Sequence, residues 1–117
     1  MDKNWKRFER RVALRTGGER IPVSDRRTPL DVKHPYLGIE CKHREKISKF
    51  LKDALSQAEA GSVEESLIPT VVLGEKHSSR MYAFLDLDNL VKLLEIMHVL
   101  LNEDPLIVVG EGENDCE

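Results

Sequence analysis

Asp31, Glu40 and Lys42 are the residues of this chain whose types and spacing are best suited to chemistry. A Glu-x-Lys triplet alone is a weak signal, because 13 Glu and 9 Lys among 117 residues give roughly one by chance. Its context is stronger. Residues 30–33 and 37–44 alternate in polarity on either side of His34, Pro35 and Tyr36, which predicts a β-hairpin. Along the second strand Leu37, Ile39 and Cys41 point one way, and Gly38, Glu40, Lys42 and Arg44 the other. A turn about Pro35 and Tyr36 makes paired positions sum to 71, so Asp31 faces Glu40 with Cβ atoms about 4.5–5.5 Å apart. Two carboxylates so placed repel unless a cation lies between them, and the spacing suits magnesium held by one or two carboxylates and water. The same residues also fit a solvated strand face balanced by Lys33 and Lys42.

Glu9 is a second acidic candidate. Advancing about 100° per residue from Trp5 gathers Phe8, Val12, Ala13 and Thr16 on one side of a helix over 4–16, and puts Glu9 among them. A carboxylate left unpaired on an apolar face costs several kcal/mol. It therefore needs an arginine, a metal-bound water or the edge of an active site, unless its stem lies at the boundary and its head reaches water.

These residues need elements to hold them. Gly17 and Gly18 stop the first helix; residues 20–24 read as a short strand and SDRRTP as a polar loop. After the hairpin, Ile47, Phe50, Leu51, Ala54, Leu55 and Ala58 mark an amphipathic helix over 46–60, with Gly61 placed to end it. Strands are expected over 67–73 and 80–85. A third helix begins near Asp86 or Asp88 and runs to about Leu101, apolar on more than one face, so that either the core or another subunit must cover it. LIVV after Pro105 could add an edge strand, and residues 110–117 have the composition of an acidic, disordered tail. The order implies one α/β domain over 1–109 with a mixed central sheet.

Composition sets limits on function. The net charge is −3, yet residues 1–52 hold 15 Lys/Arg against 7 Asp/Glu and residues 53–117 hold 3 against 14. Such asymmetry suggests a basic face for a polyanion, although the charges could also intermingle after folding. Cys41 and Cys116 lack the spacing of a zinc or disulfide framework, which fits a reducing compartment. His34, His43, His77 and His98 show no zinc-ligand spacing either. The charged start and the lack of a long apolar run predict a cytoplasmic protein without a membrane span. Six aromatic residues leave few rings for stacking on bases.

Taken together, FERRV around Glu9, IPVS ending at Ser24, TPLDV around Asp31, GIECK with Glu40 and Lys42, and SQAEAG around Gln57 resemble the PD-(D/E)xK nuclease superfamily. Within it the pattern is most similar to the archaeal-type Holliday-junction resolvases, over roughly residues 5–95. It departs in placing Pro29 two residues before Asp31 and in the arginine-rich loop that follows Ser24. The resemblance implies a restriction-endonuclease-like fold, with a mixed sheet flanked by helices, and a structure-specific DNA endonuclease dependent on Mg2+, for which Mn2+ can substitute. It makes Asp31 and Glu40 metal ligands, Glu9 a further acidic residue of the metal shell, Lys42 the cation beside the attacking water or phosphate, and Ser24 a serine on a loop after the first strand. Gln57 matches a helix glutamine but fits a helix flank equally well. The expected substrate is a four-way junction cut by paired nicks, which requires a twofold homodimer, with residues 87–109 as the interface. Lys6, Arg7, Arg10, Arg11, Arg26 and Arg27 are the expected phosphate contacts. The alternatives are another nuclease of the superfamily, directed at restriction sites, flaps or nicks, and a DNA-binding module of the same fold without turnover.

Overall fold

The computed structural model describes residues 4–25 and 29–103. The chain divides into two compact units, the first ending at Leu87 and the second beginning at Asp88. The expected edge strand after Pro105, the acidic tail, Arg26 and Arg27 lie outside the described residues.

The first unit opens with helix α1 (Asn4–Thr16), which has the predicted bounds. Neither glycine nor proline interrupts it. It ends where Gly17 takes φ +77°, a left-handed conformation that glycine adopts without a Cβ penalty. The Thr16 hydroxyl donates to the Val12 carbonyl at 2.8 Å and accepts the Gly18 amide at 3.1 Å, which turns the chain back along the helix. Gly18 is required there by close approach. A Cβ would stand 2.8 Å from the Lys33 carbonyl oxygen and 2.9 Å from Val32 Cγ1.

Strands β1 (Glu19–Arg20), β2 (Val32–Lys33) and β3 (Gly38–Ile39) form an antiparallel sheet with β2 in the middle. The hairpin register is as predicted: Val32 pairs with Ile39 and Lys33 with Gly38. A two-residue loop closes it, with His34 and Leu37 exchanging backbone hydrogen bonds at 3.0 and 3.3 Å. His34 Nδ1 also accepts the Tyr36 amide at 3.0 Å. The strands are shorter than expected. Pro22 has no amide to extend β1, and residues 23–25 form a 3-10 turn in place of a strand.

The core of this unit is small. Val32 is fully buried, and Val12, Glu9, Thr16 and Asp31 are buried with it, where α1 packs on β1 and β2. Of the predicted apolar stripe, Phe8 and Ala13 are half-buried and Trp5 remains 41% exposed.

Helix α2 (Lys49–Ser62) starts three residues later than expected and runs through Gly61, ending at Ser62. It packs beside β4 (Val71–Gly74). Strand β5 (Met81–Phe84) pairs antiparallel with β4 from Val71↔Phe84 to Gly74↔Met81. The described strands thus make two separate antiparallel sheets, where one mixed sheet was expected. Short connections favour local antiparallel pairing, whereas a parallel pair needs a long crossover.

All of α3 (Leu87–Glu103) but its first residue belongs to the second unit. As its composition suggested, α3 is apolar beyond one face: Leu90, Val91, Leu94 and Met97 are half-buried on one side, and Leu93, Ile96, Val99 and Leu100 are exposed on another. Ile96, Val99 and Leu100 lie together with Lys92 and Glu95 on one open face of α3. Among the described residues no helix is long and apolar enough to cross a membrane.

Candidate active site

The hairpin positions the first two candidate residues. The ladder stops at Val32↔Ile39, one step short of Asp31 and Glu40. There the backbone changes partners. The Asp31 amide donates to the Ile39 carbonyl at 2.9 Å, the same carbonyl residue that faces Val32, and the Asp31 carbonyl accepts the Ile21 amide at 3.0 Å. Asp31 is consequently held from both sides, and it is 7% exposed.

Its carboxylate has a defined place. Asp31 Oδ2 accepts the Cys41 amide at 2.7 Å, within the usual range for a hydrogen bond to an ionised acceptor. Cys41 stands between Glu40 and Lys42, so this bond fixes the Asp31 carboxylate against the backbone of the Glu-x-Lys segment. It also accounts for the early end of β3, since the Cys41 amide is taken by a side chain. The alternation nevertheless continues: Leu37, Ile39 and Cys41 are half-buried, and Gly38, Glu40 and Lys42 are exposed. Glu40 Oε2 and Lys42 Nζ lie 3.4 Å apart on that open side, an exposed pair of little energetic weight.

Glu9 is 4% exposed, and its Oε1 accepts the Arg20 Nε–H at 2.8 Å. The apolar helix face thus supplies the carboxylate with an arginine, the first of the partners expected from its position. Arg20 lies opposite Val32 in the sheet, one residue from Asp31, so the buried pair locks α1 to the strand pair that carries Asp31. Arg20 went unrecognised in the sequence, where nothing distinguishes it from the other arginines of the first half.

His43 was also missed. Its ring stacks on Phe8, with centroids 4.5 Å apart and planes 7° from parallel, and the Arg11 guanidinium lies 5.9 Å from the other ring of that pair, Phe8. This ties the segment immediately after Lys42 to α1. The only signal in the sequence was proximity to Lys42.

The remaining candidates are more dispersed. Ser24 sits in the 3-10 turn, exposed, on a cleft it shares with Trp5, Lys6, Arg20, Pro22 and Val23. Arg7, Arg10 and Arg11 are exposed on α1 and Lys6 is half-buried. Gln57 is exposed on α2.

The chemistry of the donor set fits a hard divalent cation. Asp31 and Glu40 offer carboxylate oxygens, and Mg2+ is commonly bound through one or two such groups with water completing its shell. Among the described residues no three His, Cys, Asp or Glu side chains form a ready-made ligand cluster.

No protein-family model, curated protein or solved structure matches this chain.

Proposed function

We propose that the chain is a metal-dependent, structure-specific DNA endonuclease with a restriction-endonuclease-like fold, and that its substrate is a four-way junction cut by paired nicks. The observation that carries this reading is the 2.7 Å hydrogen bond from the Cys41 amide to Asp31 Oδ2. It fastens a buried carboxylate to the segment that bears the other acid and the lysine, the arrangement expected of residues that act together on one phosphodiester. The resemblance of the spaced motifs to the PD-(D/E)xK superfamily supports the same assignment.

In this account Asp31 and Glu40 would hold Mg2+ or Mn2+, and the bound ion supplies an acidified water and neutralises charge on the phosphate oxygens. Asp31 serves as the fixed ligand, since its backbone and one carboxylate oxygen are already hydrogen-bonded. Glu40 is the adjustable one. Lys42 leaves its exposed contact with Glu40 to face the scissile phosphate, where an ammonium stabilises the charge that develops during attack. Glu9 acts through Arg20, keeping α1 against the strand of Asp31; the resemblance alone would place it in the acidic surroundings of the metal. Ser24 contacts the nucleic acid from its exposed turn, and Lys6, Arg7, Arg10 and Arg11 bind phosphates along the arms.

Cleavage of labelled four-way junctions, flaps, nicked duplexes and linear duplexes, compared side by side in magnesium, tests the assignment. Paired nicks across the junction are expected, with little cutting of linear duplex. Preferential cutting of flaps or linear DNA would reassign the substrate within the same chemistry, whereas binding without cleavage of any of them would leave a DNA-binding module.

A further inference from the structure

Trp5 is the only tryptophan of the chain, and the structure leaves 41% of it in water, although its position on α1 belongs to the apolar stripe. A large ring is costly to expose, and tryptophan dominates interfaces when it is given a partner. Its surroundings specify which partner. Trp5 stands on the wall between two clefts, of about 500 and 510 Å³. The first is lined with Asn4, His43, Arg44 and Glu45, immediately after Lys42. The second is lined by Lys6, Arg20 and Ser24 among others. The Lys6 ammonium lies 5.5 Å from the Trp5 ring centroid, and Arg44 lines the first cleft together with Glu45. An exposed ring with a cation beside it and an arginine on the adjoining cleft suits single-stranded nucleic acid, with the base stacking on the ring and its phosphates meeting the cations.

Building on the nuclease reading, we infer that Trp5 is a stacking platform for one unpaired nucleobase, with Lys6 and Arg44 holding the phosphates beside it. This deepens the substrate assignment. A base inside continuous duplex presents no free face to the indole, whereas a base at a branch point or flap does. Trp5 therefore selects DNA with unstacked bases close to the Glu40–Lys42 segment, and it is a specificity-determining residue rather than a catalytic one. It is distinct in role from Phe8, whose ring is already taken up by His43.

The single tryptophan gives a direct readout. The full chain is titrated, in chelator so that nothing is cut, with a short oligothymidylate, an abasic oligonucleotide of equal length and charge, and a blunt duplex. Tryptophan emission reports stacking and the anisotropy of an end-labelled probe reports binding. The inference predicts that oligothymidylate quenches the emission and that the abasic strand binds without quenching. It also predicts that Trp5→Ala weakens oligothymidylate binding about 10-fold while duplex binding is unchanged, with Trp5→Phe recovering part of the loss. Equal quenching by thymidylate and abasic strands, or an equal loss of duplex and single-strand binding in Trp5→Ala, would overturn the platform and leave the nuclease reading intact. The wild-type comparison holds even where a variant folds poorly. Absence of binding to all three probes would overturn the nuclease reading itself, and the platform with it.

Discussion

Asp31 and Glu9 are both buried carboxylates with different partners, the Cys41 amide and the Arg20 guanidinium. Glu9 is compensated by Arg20 at 2.8 Å, so removing it strands a guanidinium whose side chain is only 19% exposed. Breaking such a pair from one side costs about 3 kcal/mol, and Glu9→Ala is expected to lose that much in urea denaturation, with Glu9→Gln losing less because the amide oxygen still accepts a hydrogen bond. Asp31 is different. Asparagine in its place can still accept the Cys41 amide, so Asp31→Asn should fold and bind DNA as the wild type does. At this scale the sequence was partly legible. The pairing sum of 71 holds for Val32↔Ile39 and Lys33↔Gly38, because the turn at Pro35 and Tyr36 fixes the register locally. The Asp31–Glu40 pair it also implied is not part of the ladder, since the Asp31 carboxylate takes the Cys41 amide and Asp31 is buried where Glu40 is exposed. Glu9 could be recognised as needing a partner, but which arginine supplies it depends on how β1 docks on α1, and that is not written in any local pattern.

The elements repeat this division between local and non-local information. The bounds of α1 followed from its periodicity and from Gly17, both local signals. The strands came out short because Pro22 and the Asp31 carboxylate each remove a ladder hydrogen bond, and only the second of these depends on a side chain reaching another strand. Gly61 misled for a simple reason: glycine permits a helix end without enforcing one, and α2 continues past it to Ser62. The two glycines consequently respond in opposite directions to alanine. A Cβ at Gly18 meets backbone at 2.8 Å, so Gly18→Ala should cost about 1–3 kcal/mol. A Cβ at Gly61 meets nothing within 4 Å, so Gly61→Ala should raise stability by about 0.5–1 kcal/mol. Thermal or urea unfolding of the two variants checks both signs.

For the whole molecule, the charge asymmetry and the exposed apolar surface are the features to be explained. Four of the cations proposed to contact phosphate, Lys6, Arg7, Arg10 and Arg11, lie on α1. If all four meet phosphates, affinity should fall roughly 100-fold per protomer between about 50 and 200 mM salt, as measured by anisotropy of labelled duplex. Leu93, Ile96, Val99 and Leu100 are exposed on one helix, and paired nicks need two active sites in a fixed relation. We propose that α3 mediates a twofold homodimer. Light scattering after size exclusion should give twice the chain mass, and Ile96→Glu with Leu100→Glu should give a monomer; a monomeric wild type at micromolar concentration would remove the basis for paired cutting. The acidic balance of residues 53–117 showed only that the basic half is segregated along the chain. Where each charge lies depends on the packing of the elements, which composition does not encode.

The account depends most on the group formed by Asp31, Glu40 and Lys42, and a labelled four-way junction incubated with magnesium tests it most directly, with wild type beside Asp31→Asn and with chelator as control. Chelator-sensitive nicking is expected from the wild type, with a loss of at least about 100-fold in Asp31→Asn at unchanged DNA affinity. Nicking that survives the substitution, or that proceeds equally in chelator, would contradict it.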